Sequence, residues 1–181
     1  SVYVWATDPM LVGFKAGVME RPVRLPFLNN AQVPLQVAAG RAGCMVLMGD
    51  LATGKGNIWF SQGVDPGSKL TSQSLSGMQL KTVEDGQFSW KLVLDGTYTQ
   101  IAAGGGGYYF VQAVTLPVPG YVLGFFGPDC SAFGFVCNGT YTVRQLSSIS
   151  STNKDAIRIF AHNNGGGHAY LKDMLGDRKS T

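Results

Sequence analysis

Gly49-Asp50-Leu51-Ala52-Thr53-Gly54-Lys55-Gly56 comes within one residue of a phosphate-binding loop, whose pattern ends Gly-Lys-Ser/Thr. Gly56 stands where that pattern needs a hydroxyl to hold Mg²⁺. The next residues, Asn57-Ile58-Trp59-Phe60, read as a strand, whereas a phosphate loop must open a helix whose N-terminus receives the anion. A glycine-rich turn between two strands is therefore expected here. The run Gly104 to Gly107 could bring backbone amides against an anion, but Tyr108-Tyr109-Phe110 continues directly as a strand, so a hairpin tip is expected.

Three cysteines, Cys44, Cys130 and Cys137, leave one unpaired under any pairing and point to a reducing compartment. Cys130 and Cys137 are seven apart, and His162 and His168 lie in an Asn/Gly-rich stretch; neither pair has structural-zinc spacing. A cysteine-hydrolase reading takes Cys130 as nucleophile, His162 or His168 as base and Asp173 to orient the base. It lacks a helix N-terminus to depress the thiol pKa and an evident oxyanion hole. Cys44 and Cys137 sit in apolar runs and read as small buried hydrophobes. Most acids, among them Asp50, Asp65, Asp85, Asp95, Asp129 and Asp177, stand at glycines or turns, where Asp shapes loops, so no carboxylate pair for glycoside chemistry is assigned. Asn138-Gly139-Thr140 is a glycosylation sequon only in a secreted chain and otherwise a turn. Lys15, Arg21, Arg24, Arg178 and Lys179 are scattered and read as solvated termini, with RNA contact as the sharper alternative. No catalytic, cofactor-binding or metal-ligating residue is assigned.

The elements that must carry these residues are strands. Short apolar runs bounded by Gly, Pro, Asn or Asp predict strands over 2–5, 23–27, 35–39, 44–48, 58–61, 78–83, 88–94, 98–102, 108–116, 121–126, 132–137, 141–146 and 156–161. Alternation is clearest over 78–83 and 88–94, joined by Glu84-Asp85-Gly86-Gln87, a strong hairpin signal. Asp95-Gly96 predicts a second turn, leading into a meander or Greek key. Helical spacing is sparse: 10–19 has it but holds Gly13 and Gly17, and 171–175 could form one turn. The polar stretches 65–76 and 147–154 predict long exposed loops.

The 181 residues suit one domain over 1–181, with a polar C-terminal tail over 172–181. Charged residues make up 14%, against about 25% in an ordinary soluble domain, and the formal charge is +3. That combination excludes a disordered chain and gives little electrostatic drive for sequence-independent nucleic-acid binding. No apolar run is long enough for a membrane helix, so no membrane partner is expected, and a start at Ser1 fits either release from a longer precursor or a trimmed chain.

Pro34-Leu35-Gln36-Val37-Ala38-Ala39-Gly40-Arg41-Ala42-Gly43-Cys44-Met45-Val46-Leu47-Met48 resembles a strand pair of picornavirus-like capsid proteins, in particular the small coat protein of comoviruses. Gly56-Asn57-Ile58-Trp59-Phe60 and the 78–94 hairpin fall where that jelly roll continues, and Ile157-Arg158-Ile159-Phe160 resembles its last strand. The stretch 98–136 departs by being longer and richer in glycine, which also suits a protruding capsid domain. The resemblance implies an all-β antiparallel sandwich, a jelly roll with little helix. It also implies a structural capsid subunit without catalysis or cofactor, made in the host cytoplasm and resident in the virion. Its expected partners are other capsid subunits, packaged RNA through weak contacts and a host receptor. A carbohydrate- or receptor-binding β-sandwich module is the alternative, and the Cys130 hydrolase the third reading.

Overall fold

The structure is a computed structural model that describes residues 1–15, 17–26, 32–40, 43–61, 79–104, 108–115, 119–126, 144–149, 157–161, 167–172 and 178–180. Cys130, Cys137, His162, Asp173, the sequon, the 65–76 stretch and the strand expected over 132–137 lie outside the described residues.

The chain folds as antiparallel strands: β1 (Tyr3–Val4), β2 (Val23–Arg24), β3 (Val33–Gly40), β4 (Gly43–Asp50), β5 (Lys55–Phe60), β6 (Gln79–Asp85), β7 (Phe88–Ala103), β8 (Tyr108–Val114), β9 (Gly120–Phe126), β10 (Arg144–Ile149), β11 (Ile157–Ala161), β12 (Gly167–Lys172) and β13 (Arg178–Ser180). The main sheet runs β10-β9-β8-β7-β5-β4-β3, with β6 also beside β7. Its described pairs join strands close in sequence, which is the order of a meander; no Greek-key crossover of the jelly-roll kind is among them. The all-β, antiparallel, sandwich-like class follows from the sequence as expected.

Turn chemistry sets the register. Asp85 pairs with Phe88 across a two-residue loop, where Gly86 takes φ 55, a backbone that side-chain-bearing residues rarely adopt. Asp95-Gly96, expected to end a strand, instead forms a bulge inside the single strand β7. The register on β5 jumps from Ile58↔Val93 to Gly56↔Tyr98, and the Gly96 N–H donates to Asn57 Oδ1 at 2.6 Å. The bulge lets one strand serve two pairings: its first half lies between β5 and β6, and its second half pairs with β8.

That change of partner curls the sheet. Beyond Tyr98 the β5-side edge of β7 meets Gln36 of β3, whose Nε2 donates to Thr99 O at 3.4 Å while its Oε1 accepts from the Ile101 N–H at 2.9 Å. Inside the curl Met45, Leu47, Ile58, Phe60, Val93, Tyr98, Ile101, Tyr108 and Phe110 form one buried cluster. Phe60 meets Tyr108 edge-on at 4.6 Å between centroids, and Tyr98 meets Phe110 likewise at 5.4 Å.

The opposite face of β4 and β7 is covered by the N-terminal segment. Val2, Val4, Val12 and Leu25 close over Val46, Met48, Phe88 and Trp90. Helical spacing over 10–19 yields only a 3-10 turn, Pro9–Val12, capped by the Asp8 side chain and ended by Gly13 at φ 71. Trp90 Nε1 donates to Val12 O at 2.9 Å, and the Ser89 N–H to Gly13 O at 2.8 Å.

Two strands have no counterpart in the sequence reading. Gly167–Lys172 was expected to be loop leading into a helical turn, and Arg178–Ser180 to belong to the tail; both instead pair beside β11 in a three-stranded sheet. His168-Ala169-Tyr170-Leu171-Lys172 alternates with period two, and the pairing offered by 157–161 decides for strand over helix. Ser147 to Ile149, expected in a loop, lie in β10 paired with β9. Among the described residues, no helix is long and apolar enough to cross a membrane.

Candidate functional site

β1 and β3 frame an apolar groove on the covered side of the main sheet. Alternation in the first strand turns Val2 and Val4 inward and leaves Tyr3 and Trp5 outward, 56% and 66% exposed. β3 carries no charge, pairs only with β4 among the described strands and holds Pro34, whose missing N–H suits an edge. Val37, 67% exposed, stands on its outer side. Between the two lies a space of about 300 Å³ lined by Tyr3, Trp5, Val37, Ala39, Cys44 and Val46.

Cys44 is the thiol at this site. Its N–H donates to Ser61 Oγ at 2.9 Å, and the same hydroxyl donates to Leu11 O at 2.7 Å, tying β4 to the N-terminal segment. Burial pushes the Cys44 thiol up to about 11, a rise that a hydrogen bond with Ser61 only partly offsets. Such a group stays protonated at neutral pH and is a poor nucleophile. Cys44, expected to be a small buried hydrophobe, is only half-buried and lines the groove.

The phosphate-loop lookalike is a hairpin between β4 and β5. Gly49 pairs with Gly56 and Asp50 with Lys55; the turn closes through Ala52 N–H to Asp50 Oδ1 at 2.7 Å and Gly54 N–H to Asp50 O at 2.8 Å. A Cβ on Gly56 would lie 1.9 Å from Met48 O, and one on Gly49 2.1 Å from Lys55 O. Both glycines are therefore set by close backbone approach and not by an anion.

Of the hydrolase set, only His168 falls among the described residues, in β12 opposite Phe160. The described residues hold no group of three or more His, Cys, Asp and Glu able to grip a metal. Among the basic residues, Lys15 pairs with Glu84 at 3.1 Å, and Arg21 and Arg24 are exposed. Sequence reasoning expected a strand over 2–5 but did not find the groove. The available signal was Val2-Tyr3-Val4-Trp5, apolar at both parities of one strand.

No protein-family model, no curated protein and no solved structure matches the chain.

Proposed function

We propose that the protein is a structural subunit of a capsid-type shell, associating with copies of itself or with other shell subunits through uncharged sheet surface. The observation that carries this reading is the row Tyr3, Trp5 and Val37, three large apolar side chains each more than half exposed around one groove. Exposed apolar clusters of this kind are commonly contact surfaces. The likeness of 34–48, 56–60, 78–94 and 157–160 to comovirus-type coat proteins supports the same reading, as does a surface poor in charge. Its location would be the virion.

Assembly through such a patch is weak singly. Burying an aromatic side chain removes roughly 150–250 Å² from water, about 4–6 kcal/mol at ~25 cal/mol/Å², while association costs on the order of 4–15 kcal/mol in lost freedom. Closure of a particle then depends on many copies acting together. Light scattering on the purified chain should show large oligomers at high concentration, and the double variant Trp5→Lys, Val37→Lys should reduce them to monomer without changing the circular-dichroism spectrum. A wild-type chain that stays monomeric overturns the reading.

The same Tyr3–Trp5 pair gives the carbohydrate-binding alternative its best support, because sugars stack on exposed rings. A monomer that retains a glycan on an array reverses the order of the two. Selective thiol labelling of Cys130 would favour the hydrolase.

A further inference from the structure

The groove between β1 and β3 has two properties that a contact surface alone does not need. The first is a chamber within the exposed rim. Its volume of about 300 Å³ lies at the small end of ligand pockets, and at about 30 Å³ for each water-sized group it takes roughly ten of them. The residues that line it are Val and Ala apart from Tyr3, Trp5 and Cys44, and none carries a charge, since the Cys44 thiol stays protonated. A polar molecule sheds its water there with little to replace it. A chain of methylenes suits such a space, each one buried strengthening binding by about fourfold.

The second property is a cation beside the chamber. Register sets Arg24 of β2 directly across from Tyr3 of β1. Opposed residues share a face, with Cβ atoms about 5 Å apart, so Arg24 stands on the side of the strand pair from which Tyr3 and Trp5 project. It is exposed and makes no ion pair with any described residue. The two acids of the N-terminal segment do not line the groove: Asp8 accepts from the Met10 N–H as the cap of the 3-10 turn, and Glu20 lies outside both strands. Charge complementarity therefore selects an amphipathic anion over a cationic or neutral one. We propose that the groove holds the tail of a free single-chain carboxylate of roughly ten carbons, with Arg24 answering its head. The proposal takes the same groove as the shell contact but does not rest on that reading, because a monomer binds a small molecule without partners.

The test is isothermal titration calorimetry of the full chain, dilute enough to be monomeric by light scattering, with decanoate below its micelle concentration. Decanol, decyltrimethylammonium and glucose are the comparison probes. Decanoate should bind one to one, decanol about threefold more weakly and the ammonium more weakly still, and glucose should give no heat. Arg24→Gln should bring decanoate down to the affinity of decanol and remove its salt dependence. Lys55→Gln, at the far end of β4, should change neither. Val37→Asp, which sets an anion in the apolar wall, should weaken decanoate by more than about tenfold. If that variant alters the circular-dichroism spectrum, Ala39→Leu narrows the chamber with an apolar group and should show the same loss. Vesicles of phosphatidylserine should not carry the protein down on sedimentation. No heat with decanoate, equal affinity for the ammonium or glucose, an Arg24→Gln chain that still prefers decanoate to decanol, full binding by the Val37 and Ala39 variants, or capture by vesicles in place of the free acid would overturn the proposal. A chain that is dimeric at every concentration and silent to decanoate assigns the groove to a second copy and overturns it as well. Particle formation is read separately by light scattering, so the failure of either reading leaves the other standing.

Discussion

The two faces of the curled main sheet are closed by different means. The inner face is closed by the sheet itself: the bulge at Asp95-Gly96 swings the second half of β7 and its partner β8 over β4 and β5, and paired aromatic rings fill the space. The outer face is closed by a segment with little regular structure, whose short strands and single 3-10 turn are held at discrete points by Trp90, Ser89 and Ser61. A sheet that covers itself leaves no rim, whereas a strap narrower than the sheet does. The groove bounded by Tyr3, Trp5 and Val37 is that rim, so the candidate contact surface is a consequence of how the second face is covered.

The most damaging way to probe the contrast is Trp90→Ala. Trp90 is fully buried under the strap and donates to Val12 O, so its loss removes a large packing unit and orphans a carbonyl. About 3–5 kcal/mol of stability should disappear, measured by urea denaturation. Limited proteolysis should then cut within residues 1–25 before the main sheet unfolds. If the strap stays protected and the loss is under about 1 kcal/mol, the two faces are not separately closed.

Gln36→Leu tests the other closure. Gln36 supplies one amide that bridges Thr99 O and the Ile101 N–H, doing for the open edge of β7 what a neighbouring strand would do. Leucine keeps the volume but leaves both backbone groups unpaired, which should cost about 1–3 kcal/mol. Amide exchange at Ile101 should quicken while exchange in the β4–β5 hairpin is unchanged. Uniform exchange across both would show that the seam does not close the curl.

The inner face was legible because its signals are local. Alternation in Phe88-Ser89-Trp90-Lys91-Leu92 and the Asp85-Gly86 turn fix a hairpin within a few residues of chain. Asp95-Gly96 misled, because the same dipeptide serves a turn or a bulge and only the position of β5 decides which. β12 was missed for a similar reason: Gly167-His168-Ala169-Tyr170 looks like loop by composition and becomes strand through pairing with β11. The groove was least visible of all. Tyr3 and Trp5 resemble core residues by type, and their exposure follows from where a strap of non-local contacts happens to end.

The smallest effect concerns that strap where it meets the β6–β7 hairpin. Lys15 hydrogen-bonds Glu84 and holds its carboxyl below the ordinary value of 4.5, while the Lys15 N–H donates to Gln87 O at 2.7 Å. A carboxyl lowered in the fold adds stability above its unfolded pKa and gives it up as pH falls through the folded one. Glu84→Gln should therefore lower the melting temperature slightly at pH 7, and the difference from wild type should vanish well below pH 4.5. Both side chains are exposed and screened by salt, so the shift should also fade as salt is added. A difference that persists in acid would mean that the backbone bond to Gln87, and not the ion pair, fastens this end of the strap.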